Sequence, residues 1–130
     1  MKQLYIKCLI TFFFALSFIR GTDNYSIKHL EPPSWWIGMI KDTLQIMVHG
    51  ENISDLEPSI SHPGVTIVRS HHLESANYLF IDLKISSNAE PGAVDISFMN
   101  GAQKVITHSY QLKKRRDDSA NRQGFNASDV

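Results

Sequence analysis

The chain has 130 residues, 42% of them hydrophobic and 20% charged, with 13 basic residues against 13 acidic ones. That length holds one domain, and the balance gives no electrostatic reason to seek nucleic acid or an anionic membrane. The single cysteine, Cys8, excludes an intramolecular disulfide framework and cysteine-based metal sites.

Residues 1–21 read as a secretory signal peptide. Lys2 and Lys7 flank the start, and an apolar run follows from Cys8 to Ile19. That run is shorter than the about 20 residues a helix needs to cross a bilayer core. Gly21 is the expected last residue of the signal, and an uncleaved anchor is the other reading. Removing 1–21 takes away Lys2, Lys7 and Arg20 and leaves 10 basic against 13 acidic residues, a net charge of −3. The remainder has no thiol, and an exported domain without disulfides fits a bacterial periplasm or cell surface.

From Thr22 the chain breaks into short β-like runs separated by turn residues. Tyr25 to Leu30 is a first strand, stopped by Pro32-Pro33. Leu44 to His49 is a second, with Leu44, Ile46 and Val48 on one face. The turn His62-Pro63-Gly64 opens a third at Val65 to Arg69. From Asn77 to Ile85, Leu79, Ile81, Leu83 and Ile85 alternate with Tyr78, Phe80, Asp82 and Lys84, the period-2 pattern of a half-buried strand. Val94, Ile96 and Phe98 begin a hairpin that turns at Asn100-Gly101, where positive φ angles are readily adopted. The return strand places Ile106, His108, Tyr110 and Leu112 on one face. About seven short strands without a helical crossover predict an all-β, immunoglobulin-like antiparallel sandwich over 22–113. From 114 to 130 the chain is charged and polar until Phe125, which reads as a linker.

No side-chain pattern supports catalysis. His29, His49, His62, His71, His72 and His108 lie in separate runs, and adjacent His71 and His72 must point to opposite faces of a strand. They read as surface or hairpin histidines, not ligands. The carboxylates Asp42, Glu51, Asp55, Glu57, Glu74, Asp82, Glu90 and Asp95 form no identifiable pair across a cleft. Nucleophile-elbow, phosphate-loop and zinc motifs are missing from the sequence. The expectation is therefore no catalytic residues, no metal and no cofactor.

Aromatic residues carry the candidate contacts. In an extended segment Trp35 and Trp36 face opposite ways, so only one can enter the core. The other must cover a surface, a neighbouring domain or a ligand such as a sugar ring. Packing under a loop or against another domain is the preferred reading. Tyr78 and Phe80, on the outward face of their strand, pose the same choice and point to an interface.

Several segments together resemble a known family. They are Glu31-Pro32-Pro33-Ser34-Trp35-Trp36-Ile37-Gly38-Met39, Leu44 to Gly50, Pro63-Gly64-Val65, Asn77-Tyr78-Leu79-Phe80-Ile81-Asp82-Leu83, Pro91-Gly92, Tyr110 to Arg115, Gly124-Phe125 and Ser128-Asp129-Val130. The combination is similar to the N-terminal domain of cyclomaltodextrinases and neopullulanases, in the α-amylase family. One local departure is Ser75-Ala76, where Asn-Pro is expected before Asn77. The resemblance implies a non-catalytic accessory module of a starch- or maltodextrin-degrading enzyme. Its expected partners are an α-amylase-type catalytic barrel, which in the family comes after the position of Val130 and is missing here, a second copy in a homodimer, and an α-glucan or maltodextrin, with no nucleic acid. Export as in similar polysaccharide-using enzymes implies the periplasm or surface of a Gram-negative bacterium. A free-standing exported sandwich that binds a protein or carbohydrate is the alternative. Trp35, Trp36, Tyr78 and Phe80 are the expected carbohydrate or interface contacts.

Overall fold

A computed structural model describes residues 24–115. The expected signal peptide and nearly all of the expected linker lie outside the described residues. Within them the chain forms β1 (Ser26–Glu31), β2 (Ser34–Ile37), β3 (Thr43–Glu51), β4 (Glu57–Ile60), β5 (Val65–His72), β6 (Tyr78–Ile85), β7 (Gly92–Asn100) and β8 (Gln103–Lys114). A 3-10 turn at Ile53–Asp55 is the helical element among them.

The strands make two four-stranded sheets, one in the order β1-β3-β6-β5 and the other β2-β8-β7-β4. All pairs in the first sheet are antiparallel. The second sheet is mixed, because β2 runs parallel to β8, which corrects the expectation of a purely antiparallel sandwich. Two of the eight strands were not read as strands from the sequence. β2 is only four residues long and β4 carries Pro58, so neither shows enough alternation to register. Proline is tolerated in β4 because this is the edge of its sheet, where one N–H can be dispensed with.

Alternation builds the interior. Leu44, Ile46 and Val48 of β3 and Leu79, Ile81, Leu83 and Ile85 of β6 are buried from the first sheet. Val94, Ile96 and Phe98 of β7 meet them from the second, with Tyr110 and Leu112 of β8. Each large aliphatic or aromatic side chain buried this way contributes about 1.5–3 kcal/mol. Ile53 and Leu56 reach the same core from the link between β3 and β4. Gln45, Lys84 and Asp95 point outward and are exposed, as their place in the alternation requires.

The β7–β8 hairpin turns one residue later than the sequence suggests. Asn100 pairs with Gln103, so Gly101 and Ala102 form the two-residue loop. Gly101 takes φ +58°, while Asn100 keeps an ordinary negative φ as the last residue of its strand. Glycine at the first loop position is the requirement of a type II′ turn.

Among the described residues, Tyr110 is the member of the buried hydrophobic cluster that carries a hydroxyl. It is 2% exposed, and its Oη has no hydrogen-bond partner. Burial pushes its pKa up to about 12, because the phenolate would be left without solvation. Tyr110→Phe removes a desolvated donor while keeping the ring, so we expect the variant to be more stable by about 1 kcal/mol. Urea titration checks this; a loss of stability would mean the hydroxyl has a partner in solution.

Candidate functional surfaces

The four aromatic side chains singled out in the sequence do not converge. Trp35 and Trp36 lie on β2 in one sheet, while Tyr78 and Phe80 lie on β6 in the other. Tyr78 and Phe80 alternate with buried Leu79 and Ile81, and Trp36 alternates with Ile37, which is buried. Tyr78, Phe80 and Trp36 therefore face away from the core, on opposite sides of the sandwich, while Trp35 shares the inward face of β2 with Ile37.

On the β2 side the indoles divide as their spacing demands. Trp35 packs partly against the core cluster, whereas Trp36 remains 42% exposed. Their ring centroids are 6.1 Å apart with planes at 57°. The Lys113 ammonium sits 5.6 Å from the Trp36 ring centroid, within cation–π reach. Parallel pairing brings this about, since Trp36 is opposite Lys113 and Ile37 opposite Lys114. The loop that follows begins at Gly38 and presents Met39, 39% exposed, and Ile40, fully exposed. Lys41, Lys114 and Arg115 are also exposed here. This corner joins three large apolar side chains to a basic rim. Sequence reasoning missed Met39, Ile40 and Lys113, because no period marks a loop tip and nothing local announces a parallel partner strand.

On the other side, an aromatic row crosses three strands. His29 of β1 meets His49 of β3 edge-on at 4.9 Å, and His49 stacks on Tyr78 of β6 at 4.6 Å and 19°. Antiparallel register explains the row, for His29 pairs with His49 and His49 with Tyr78. His49 is half-buried, and its Nδ1 lacks a hydrogen-bond partner. Met47 and His71 flank Phe80 through the same registers. Neighbours shield Tyr78 and Phe80 to partial burial, so neither stands free on the face.

A polar group completes this face. His71 Nε2 donates to Asp82 Oδ2 at 2.6 Å, and Gln45 Nε2 donates to Asp82 Oδ1 at 2.8 Å. The bond from His71, then that from Gln45, hold the Asp82 carboxyl below the usual aspartate pKa. A depressed carboxylate pKa means the unfolded chain binds the proton more tightly. Its contribution to stability is thus complete above the usual aspartate range and lost as pH falls through the lowered folded value. We expect the acid limb of the stability curve to be shallower in Asp82→Asn; superimposable limbs would show that the carboxylate is not linked to folding.

His72, next to His71, points the other way, as strand geometry requires. It meets Glu57 Oε1 through Nε2 at 2.9 Å and the Ser54 carbonyl through Nδ1 at 2.6 Å. Ser70 Oγ donates to Glu57 Oε2 at 3.2 Å, so a polar clasp closes the flank between β5 and β4. Further along this flank is a groove of about 640 Å³ lined by Ser59, Ile60, His62, Val65, Thr66 and Ile67 among others. None of the expected contact residues lines it, and neither does any carboxylate. Among the described residues no group of three or more histidine, cysteine or carboxylate side chains could hold a metal ion.

These features define an all-β, two-sheet sandwich domain whose distinctive side chains lie on its outer faces and one loop corner. The family model described as Cyclomaltodextrinase, N-terminal, matches residues 29–116. The chain belongs to that family.

Proposed function

We propose that the chain is a non-catalytic accessory module of an α-amylase-family enzyme acting on starch or maltodextrin, and that it works by docking. The observation that carries this reading is the corner formed by Trp36, Met39 and Ile40. Exposed apolar side chains gathered at one place mark an interaction surface more often than idle surface. The corner also adjoins the end of β8, where Ile37 pairs with Lys114. Family membership supplies the class of the parent enzyme. The strand orders β1-β3-β6-β5 and β2-β8-β7-β4 support an immunoglobulin-like sandwich. They match its two-sheet arrangement once β1 and β2 are taken as one first strand divided between the sheets. Glucan contact is assigned to Trp36, whose outer ring face offers a stacking platform. The His29–His49–Tyr78 row with Met47 and Phe80 is assigned to pairing with a second copy. Export to the periplasm or cell surface rests on residues 1–21 alone.

The test mixes the chain with an α-amylase-type barrel lacking its own N-terminal module and follows the mixture by sedimentation velocity. A complex weakened at least tenfold by Ile40→Asp is the expected result. Calorimetric titration with maltoheptaose and β-cyclodextrin, repeated on the Trp35→Ala, Trp36→Ala double variant, separates glucan contact from docking. Association with neither barrel nor glucan sinks the reading.

A further inference from the structure

The Asn100-Gly101 pair is used by the fold as a turn, but its chemistry goes further. An asparagine side chain is converted when the backbone nitrogen of the following residue attacks its Cγ. A new N–Cγ bond forms, the Cγ–Nδ2 bond breaks, and the nitrogen's proton leaves with the amide as ammonia. Water then opens the resulting cyclic imide. Cleaving the N–Cγ bond gives aspartate, and cleaving the bond to the backbone carbonyl gives isoaspartate, whose backbone runs through the side chain. The first step needs a flexible, unobstructed nitrogen, which a following glycine supplies best.

Asn100 satisfies these requirements better than its counterparts. Among the described residues, Asn24 and Asn77 precede tyrosines, Asn52 precedes an isoleucine and Asn88 an alanine. Each of those side chains crowds the attacking nitrogen. Asn100 alone precedes glycine, both residues are exposed, and a Cβ placed on Gly101 would meet nothing within 4 Å. The ladder closes at the Asn100–Gln103 pair, and a two-residue II′ loop leaves the N–H of its first residue outside that ladder. One contact opposes the reaction. Asn100 Nδ2 donates to the Tyr25 hydroxyl at 3.1 Å across 75 positions of sequence, which ties the amide to the start of β1 and away from the Gly101 nitrogen.

We propose that Asn100 is a site of spontaneous deamidation, and that Tyr25 is the positioning residue that restrains it. The two products differ in consequence. Aspartate keeps the backbone and can accept a hydrogen bond from Tyr25, so the hairpin survives with one added negative charge. Isoaspartate inserts a methylene immediately before the loop, which spoils the Asn100–Gln103 pairing and frays the hairpin joining two inner strands of the second sheet.

The experiment incubates the full chain in warm, mildly alkaline buffer, folded and in urea. Peptide mapping by mass spectrometry and isoaspartate-specific labelling follow each asparagine. Asn100 should convert first, to both products. Tyr25→Phe, which keeps the ring that packs against the core, should speed Asn100 conversion several-fold in the folded chain and leave the rate in urea unchanged. Conversion of another asparagine ahead of Asn100 overturns the site. Equal folded-state rates in wild type and variant overturn the restraint. A variant that speeds conversion in urea as well has altered chain chemistry and counts against Tyr25 as a positioning group. The wild-type map stands whether or not the variant folds.

Discussion

Phe98→Ala is expected to lower the unfolding free energy by about 3–5 kcal/mol. Phe98 is fully buried on β7, paired with Pro58 of β4 on one side and Ile106 of β8 on the other. Hydrogen-bonded neighbours on both sides hold the sheet in place, so it cannot collapse into the space the ring leaves. The cavity term therefore adds to the lost transfer term. Urea denaturation should show an earlier midpoint with an unchanged slope, the signature of lost stability without a changed denatured state. Met99→Ala, one residue on and facing the other way, should cost under about 1 kcal/mol. Similar losses for the two would contradict the facing of β7.

The second large effect is expected at a residue with no side chain. Gly50 lies inside β3, where the β1–β3 register shifts between Ile27 and His29. A Cβ there would come within 1.9 Å of the Ser26 carbonyl oxygen and 2.9 Å of its carbon. Those atoms are backbone, so no rotamer change relieves the overlap. Gly50→Ala must push β1 away from β3, and a loss of about 2–3 kcal/mol is expected, at the upper end for overpacking. Amide exchange locates the damage: faster exchange confined to β1 and the facing edge of β3 supports the close approach. An alanine variant as stable as wild type would show that β1 does not lie over Gly50.

How much of this was legible depended on whether the signal was local. The alternation of Leu79 to Ile85 and of Val94 to Phe98 fixed both strands and both inward faces. Period 2 is a property of the strand itself, and burial simply follows it. The hairpin was legible for the same reason, although the turn sits one residue later than the Asn-Gly pair suggests. Register there is set by ladder pairing on either side, together with an extra residue near Val105. β4 escaped because Pro58 argues against a strand unless its edge position is known. β2 escaped because four residues carry too little pattern, and its pairing partner lies far along the chain.

The candidate surfaces divide similarly. Opposite facing of Trp35 and Trp36, and of His71 and His72, followed from sequence. So did the family likeness, through the Pro-Pro-x-Trp-Trp and Asn-Tyr-Leu-Phe-x-Asp-Leu segments. That Trp36 and Tyr78 end on opposite sides of the molecule did not follow, because alternation assigns a face within a strand but not a sheet to the strand. The His29–His49–Tyr78 row, the Lys113 ammonium over Trp36 and the close approach at Gly50 join residues distant in sequence. They exist only once register is chosen, and register is fixed by burying every strand's apolar face at once. The sequence by itself therefore determined the class of fold, the inward residues and the family. Tertiary structure alone decided which outward residues became neighbours, since that depends on the pairing of whole strands and not on any residue's own preference.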